Sequence, residues 1–297
     1  MAKSTSQSLK RYQREKRILI ISFLAIPIAL LLLFTAYPII SMLAYSFTNW
    51  NGLSSPDKFV GFSNYIKVFT SDQYRSVFRT AIYYLVAGAI QQVLALFLAT
   101  ILSKKVRGSA FFKGSIFFPL IMNGVAVTLI FQMFFEVNGG LDGILTMLNQ
   151  QHLIRRWIAD RDVVNVSLAF IYLWKNLGYS FIIYLGTMQS VPKELYEAAE
   201  IDGANMWQQF KTITIPNIKM MVGLLVTFAI VNSVAVFDIP FILTKGQNGT
   251  NTFTTTLIET AFKHNLYGEA SAMAIVLLMI VAIALILKNI IFKEDND

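Results

Sequence analysis

The sequence predicts an all-α membrane protein with six transmembrane helices, and two observations carry this prediction. Hydrophobic residues make up 55% of the chain and charged residues only 14%, whereas a soluble domain carries about a quarter charged residues. The apolar residues are also concentrated in runs of about 20, the length that a helix needs to cross a bilayer. The predicted spans are 18–43, 80–102, 114–135, 165–188, 219–243 and 269–291.

The first span follows a basic segment, residues 1–17, that ends in KRYQREKR. No charged residue occurs from Ile18 to Pro56. A secretory signal peptide would have a shorter apolar region that ends at a small-residue cleavage site. We therefore expect an uncleaved span, which divides the chain into a basic N-terminal segment (1–17) and a membrane domain (18–292).

The distribution of Lys and Arg predicts how the spans are oriented. Fifteen basic residues lie on the side of the N-terminus and nine on the other side, with Lys175 inside a span. Cytoplasmic loops carry the excess of basic residues in membrane proteins. We therefore place both termini and the loops 103–113 and 189–219 in the cytoplasm, and the segments 136–164 and 244–268 on the outer side.

The segment 189–219 is polar, although it lies between two apolar spans. Pro192 suits the first turn of a helix, and Lys193 to Asp202 reads as a short helix with acidic residues early. Gly203 is a residue type that commonly follows the last turn of a helix. The segment therefore begins with a short helix that ends at Gly203.

A second short helix is predicted directly after the first. Asn205 can cap its N-terminus, with Gln208 three positions on as the partner in a capping box. Apolar residues recur at i, i+4 and i+7 and form one stripe: Met206, Phe210 and Ile213. We expect Pro216 to separate this helix from the next span.

The charge of these two helices distinguishes two interpretations of their role. An amphipathic elbow that lies on lipid headgroups is basic on its polar face. This segment is acidic in its first half, at Glu194, Glu197, Glu200 and Asp202. Docking to a protein partner is therefore favoured over an elbow, and the small side chains of Ala198 and Ala199 would let a partner's backbone approach closely.

The spacing within the segment resembles a known signature. Glu197-Ala198-Ala199, then three residues, Gly203, nine residues, and Ile213-Thr214-Ile215-Pro216 resemble the EAA signature of ABC importer permeases. Ile215 stands where that family usually has Leu. Asp202-Gly203-Ala204 resembles the version found in sugar permeases. The segments YPII…SFTNW, FVGFSNY and WKNLGYSFIIYLGTMQSVP are similar to the MalF-like subunit of carbohydrate importers, so the resemblance covers about 18–292.

The resemblance implies a role and a set of partners. It implies a coupling loop, 192–216, whose helices sit in a groove of a cytoplasmic ATPase. It also implies that the chain is a multi-pass subunit located in the bacterial cell membrane. The partners it implies are a sister permease, two ATPase subunits that bind ATP and Mg, and an extracytoplasmic solute-binding protein that delivers a sugar. The residues carried over for the ATPase contact are Glu197, Ala198, Ala199, Asp202, Gly203 and Ala204.

Several kinds of site are excluded or disfavoured by what the sequence lacks. There is no Cys, which excludes disulfides and thiolate chemistry, and the two His have no ligand spacing around them. There is no G-x-x-x-x-G-K-[ST] phosphate loop and no evident catalytic set. We therefore expect no enzyme activity, metal or cofactor in this chain, and the basic net charge needs no nucleic acid to explain it.

Polar residues inside the spans are candidates for the substrate pathway, because such residues are costly in a membrane. From the residues alone we single out Trp174, Asn176 and Tyr179 in the fourth span and Asn232 and Ser233 in the fifth. The resemblance adds positions that match the sugar-contacting part of the MalF-like pattern: Leu177, Gly178, Phe181 and, less closely, Val236. The alternative is that these side chains join helices to one another.

Two other classes of function compete with an ATP-driven importer. A secondary transporter would use Lys175 and Asp238 as an ion-coupling pair, although six spans are few and no internal repeat is evident. A membrane-embedded scaffold or receptor would need no transport role. Neither class requires a Gly-broken acidic helix pair in the fourth loop, so the EAA spacing favours the importer.

Overall fold

The computed structural model describes the backbone of residues 2–53, 55, 58–103 and 106–291, and the side chains of these residues from residue 12 onward. Apart from one isolated bridge between Thr48 and Phe59, the regular structure of this part is helical. The α-helices are α1 (Ala2–Leu31), α2 (Tyr37–Tyr45), α3 (Ser63–Thr70), α4 (Asp72–Leu102), α5 (Ser109–Ile121), α6 (Gly124–Phe135), α7 (Gly140–Met147), α8 (Val164–Gln189), α9 (Lys193–Ile201), α10 (Met206–Gln209), α11 (Ile215–Val234), α12 (Asp238–Leu243), α13 (Phe253–Ile258) and α14 (Tyr267–Ile291).

The helices of the described residues include five stretches long and apolar enough to cross a membrane, or six if one bent pair counts as a span. The five stretches are Tyr12–Tyr45, Asp72–Leu102, Val164–Gln189, Met206–Leu243 and Tyr267–Ile291. The prediction of an all-α membrane fold is therefore confirmed at this level. Residue 292, the last of the predicted membrane domain, lies outside the described residues.

The third predicted span, 114–135, is wrong as a continuous helix. Its two halves, α5 and α6, meet at an angle of 103°. Met122 is extended, and the side chain of Asn123 accepts a hydrogen bond from the Val125 N–H at 2.8 Å, which caps a new helix. Each half is only about 20 Å long at 1.5 Å per residue, so neither crosses the bilayer core of about 30 Å alone.

The fifth span differs from its prediction at both ends. Pro216 does not separate a short helix from the span, because α10 continues through a π-helical turn at Phe210–Thr214 into α11. In that turn the Ile215 N–H bonds to the Phe210 carbonyl, five residues back, and Pro216, which has no N–H to donate, follows directly after the turn. At the C-terminal end of the span, α11 stops at Val234 and α12 begins at Asp238.

The centre of the fold is formed by α4, α8 and α11, which pack against one another. A close backbone approach lies between α5 and α8, where a Cβ on Gly178 would be 2.5 Å from the Ile116 carbonyl oxygen. The first span lies apart from this centre. None of the most apolar 18-residue stretch of Tyr12–Tyr45 is buried, whereas 33% to 44% of the corresponding stretches of the other four spans are.

Candidate coupling loop and candidate translocation face

The helix α9 presents a distinct outward face. Four exposed residues at i, i+3, i+4 and i+7 form this face: Glu194, Glu197, Ala198 and Ile201. On the opposite side, the Tyr196 hydroxyl lies 3.0 Å from the Thr214 hydroxyl in the π-helical turn. Because Thr214 belongs to the continuous helix of the fifth span, this bond ties α9 to that span.

The turn between α9 and α10 has the capping chemistry that the sequence predicts. Gly203 has φ +78°, in the left-handed region that favours glycine. The Asn205 side chain accepts from the Gln208 N–H at 3.0 Å, and the Gln208 side chain accepts from the Asn205 N–H at 2.7 Å. The predicted C-cap and the capping box are therefore both confirmed, and the two helices are joined by an ordered turn.

Two exposed apolar side chains in this loop were not singled out from the sequence. Ile201 is 87% exposed and Trp207 is 70% exposed. The Trp207 ring stacks on Phe210 with centroids 5.5 Å apart. The signal that could have found them is the presence of large apolar residues within an otherwise polar segment, since exposed apolar patches mark interaction sites.

The side of α9 that faces the fold borders a cavity of about 600 Å³. It lies between the C-terminal ends of α4 and α8 and the residues Lys193, Tyr196 and Glu200 of α9. Ala199 and Ala204 are half-buried, whereas Asp202 is exposed. The helix α9 is therefore supported at Tyr196 and is not packed along its whole length.

A second exposed stripe runs along α8, although this helix is otherwise central. The residues at i, i+4, i+7 and i+11 share it: Lys175, half-buried, and Tyr179, Ile182 and Gly186, exposed. A matching stripe on α11 consists of Leu224, Phe228 and Asn232, all exposed. Because the stripes include a Lys, a Tyr and an Asn within membrane spans, they are suited to a polar surface and not to lipid.

One end of this face carries an ion pair. Lys175 Nζ lies 3.8 Å from Asp238 Oδ2, and the side chains are 23% and 55% exposed. Both groups lie against the first residue of α6, since a Cβ on Gly124 would be 2.5 Å from Lys175 Nζ and 2.9 Å from Asp238 Oδ2. The break in the third span therefore brings a helix N-terminus, a Lys and an Asp together.

A buried hydrogen-bond network lies directly behind the face. The Gln91 side chain donates to the Asn176 carbonyl at 2.9 Å and to the Ser180 hydroxyl at 2.8 Å. The Gln92 side chain donates to the Leu225 carbonyl at 3.2 Å and accepts from the Tyr184 hydroxyl at 2.9 Å. The network links α4, α8 and α11, and sequence reasoning did not identify it.

The predicted pathway residues fall into two groups. Tyr179 and Asn232 are exposed and Asn176 is partly so, and all three line one small polar cavity. The other group is engaged in packing: Trp174 against Phe131, Leu177 at the edge of a core cluster, and Gly178, Phe181, Ser233 and Val236, which are buried. In the described residues no group of His, Asp or Glu could hold a metal ion.

Comparison with known proteins gives a consistent result. Residues 91–293 match the family described as "Binding-protein-dependent transport system inner membrane component". The chain is 32% identical over 276 residues to the multiple sugar-binding transport system permease protein MsmF of Streptococcus mutans, covering 92% of this chain and 94% of that protein. It is 31% identical over 278 residues to the probable ABC transporter permease protein YurN of Bacillus subtilis, covering 92% and 95%.

The fold is also similar to a solved structure. A chain of a bacterial alginate ABC transporter, in complex with an alginate pentasaccharide-bound periplasmic protein, superposes with a TM-score of 0.81 at 20% identity. The match covers 95% of this chain and 98% of that chain. At this level of identity the likeness concerns the fold.

Proposed function

We propose that the chain forms half of the translocation pathway of an ATP-driven importer, because it belongs to the family of binding-protein-dependent transport system inner membrane components. It is a transport permease subunit with several membrane-spanning helices. ATP and Mg would be bound by two separate cytoplasmic ATPase subunits, since the sequence has no phosphate loop.

The observation that carries the proposal is the way α9 and α10 are built. The outward face of α9 is exposed, the turn at Gly203 is capped, and α10 is continuous with the fifth span. A rigid-body movement of a partner seated on this face would therefore be passed to the fifth span. Glu197, Ala198 and the exposed Ile201 are the contacts, and Asp202, Gly203 and Ala204 shape the turn between the helices.

The exposed stripes on α8 and α11 support the second half of the proposal. Hydrogen-bonding side chains beside an aromatic ring, here Asn176, Asn232 and Tyr179, suit a sugar or an oligosaccharide. Half of a pathway is open on one side, so a sister permease subunit would close it. Relatives named as sugar permeases support this substrate class, and an extracytoplasmic binding protein would deliver the sugar to the outer end.

The proposed location is the bacterial cell membrane, with both termini in the cytoplasm. The basic excess on the side of the N-terminus supports this orientation. The coupling loop then lies in the cytoplasm with the ATPases, and the loops between α6 and α8 and between α12 and α14 lie on the side of the binding protein.

The test is co-purification of the ATPase subunit with wild type and with Glu197→Lys from detergent. Asp162→Lys is the matched control, because it makes the same charge change at an exposed site two residues before the N-terminus of α8, at the opposite end of that helix from α9. The expected result is that wild type and the control bring down the ATPase and that Glu197→Lys loses most of it.

A different result would favour the secondary transporter. The structure does pair Lys175 with Asp238, which such a transporter requires. If wild type is purified without an ATPase, and reconstituted uptake follows an ion gradient without ATP, the importer proposal is wrong.

A further inference from the structure

We infer that Asp238 neutralises Lys175 to make an electrically neutral polar layer in the pathway, and that this layer selects uncharged polyhydroxy substrates over those with a carboxylate or a phosphate. The inference rests on the proposed function, because it concerns the pathway face of α8 and α11. It narrows the substrate to a chemical class and assigns a positioning role to Asp238.

The first step is that Lys175 lies on the pathway face. It is four residues before Tyr179 on α8, and the same stripe continues through Ile182 and Gly186. Residues on the opposite face of the outer half of α8, such as Phe170, pack against the aromatic side chains of α6. The Lys175 side chain therefore leaves α8 on the stripe that carries the polar candidates, and its ammonium group ends beside Asp238 and the first residue of α6.

The second step is that Lys175 needs a counter-charge at this depth. Lys175 is the twelfth residue of a 26-residue span, about 16 Å from its outer end at 1.5 Å per residue. An uncompensated charge there is costly. The Asp238 carboxylate, 3.8 Å away, supplies one negative charge, so the fixed charge of the pair is zero.

The third step is that the local backbone favours this arrangement. Both charged groups reach into the space that a Cβ on Gly124 would fill, so the Gly at the start of α6 leaves room for the pair at this place. Asp238 also begins α12. The N-terminal ends of both helices carry partial positive charge, which favours a carboxylate beside them.

The fourth step concerns the substrate. The other polar side chains singled out on the exposed face are uncharged, and they line one small cavity: the amides of Asn176 and Asn232 and the phenol of Tyr179. They can replace the water around hydroxyl groups. They supply no net charge to an anion, which would lose its hydration without compensation. Removing the Asp238 charge would leave Lys175 free to attract an anion.

The test measures the local potential with charged thiol reagents, because the chain has no Cys. In the purified complex, Tyr179→Cys is reacted with an anionic (sulfonatoethyl) and a cationic (trimethylammonium-ethyl) methanethiosulfonate, and the complex without this Cys gives the background. Gly186→Cys is the matched control on the same stripe. It lies 11 residues from Lys175, or about 16 Å along the helix, which is beyond a Debye length at physiological ionic strength.

We expect Asp238→Asn to raise the ratio of anionic to cationic reaction rates at position 179 by about tenfold or more, and to change it little at position 186. Lys175→Gln should lower the ratio by a similar factor, and the double variant should return it towards the parent value. A pair whose charges do not act on the water-filled face would leave this ratio unchanged.

Two results would overturn the inference. One is an accessible Cys at position 179 whose ratio is the same in the parent and in both single variants. The other is a Cys at position 179 that reacts with neither reagent, with or without ATP, because the stripe would then not face a water-filled pathway. Failure of the proposed function is a separate result, since a chain that purifies without an ATPase fails it whatever the ratio is.

Discussion

The middle and the C-terminal end of α8 are held in different ways. In the middle, the side chains of Gln91 and Gln92 bond to both the backbone and the side chains of neighbouring helices. Beyond the C-terminal end, α9 is tied to the fifth span by the bond between Tyr196 and Thr214, and its outward face is exposed. The polar groups in the middle of α8 are therefore satisfied within the chain, whereas the outward face of α9 is free for a partner to cover.

The difference follows from the surroundings of the two regions. Inside a bilayer no water is present, so buried polar groups must find partners within the protein. At the membrane surface, exposed groups are hydrated until a partner covers them. Substitutions in the middle of α8 should therefore change the stability of the chain, and substitutions in the coupling loop should change docking without changing stability.

The largest expected effect is that of Gly178→Ala. Its new Cβ would lie 2.5 Å from the Ile116 carbonyl oxygen and 3.2 Å from the Phe117 Cα, both backbone atoms that move only if α5 and α8 separate. We expect a loss of about 3 kcal/mol of folding free energy, seen as a lower thermal unfolding temperature in detergent. Gly186→Ala on the same helix is the control, because nothing lies within 4 Å of its Cβ. Equal unfolding temperatures for the two variants would contradict the close packing.

Trp207→Ala should have the next largest effect, on docking. A stacked, exposed Trp at an interface is typical of residues that contribute about 2 kcal/mol or more, so the ATPase should bind about thirtyfold more weakly. The thermal unfolding temperature of the chain should not change. Phe262→Ala is the control, since Phe262 is also 70% exposed and also contacts a ring, that of Tyr267. A loss of stability without a loss of docking would make Trp207 a structural residue.

Gln92→Leu should destabilise the middle of α8 by about 1.5 kcal/mol, because the Tyr184 hydroxyl and the Leu225 carbonyl lose a partner. The measurement is again the thermal unfolding temperature. Gln73→Leu, at an exposed position in the first turn of α4, is the control. An unchanged temperature for Gln92→Leu would show that the network adds no net stability.

Gly203→Ala should have the smallest effect. No atom lies within 4 Å of the new Cβ, so the change acts only through the backbone at φ +78°. We expect the turn to relax in the free chain, so that restoring it for docking costs about 1 kcal/mol and weakens ATPase binding about fivefold. Gly114→Ala is the control, since it also meets no atom within 4 Å but lies in a helix, where Ala is favourable. Unchanged binding for Gly203→Ala would mean that docking does not require the turn.

The sequence predicts those features that depend on short-range chemistry. The end of α9 at Gly203 and the capping box at Asn205 follow from residues within a few positions of one another, and the structure has both. The presence of Lys175 and Asp238 within spans singles them out as a possible pair, because charges in a membrane need compensation.

Features that depend on direction or on contacts between distant helices are not predicted. A straight span and the bent pair α5 and α6 can have the same average hydropathy. Hydropathy therefore does not predict the break at Met122. From the sequence, Gln91 and Gln92 are simply two polar residues in an apolar span. Their hydrogen-bond partners are known only once α4 is packed against α8. Phe181 and Val236 were candidates for the pathway only because of the resemblance. Both are buried, and their burial depends on contacts with helices that are distant in the sequence.

The π-helical turn at Phe210–Thr214 has a consequence for the phase of the fifth span. Such a turn contains one residue more than an α-helical turn, so every side chain before it is rotated by about 100° relative to those after it. The angle around the helix axis between the Trp207 and Asn232 side chains therefore differs by about 100° from the angle that a continuous α-helix would give. Deleting one residue from the turn would restore a uniform α-helical register, and it would swing Trp207 about a quarter of a revolution around the helix axis while leaving the pathway face in place.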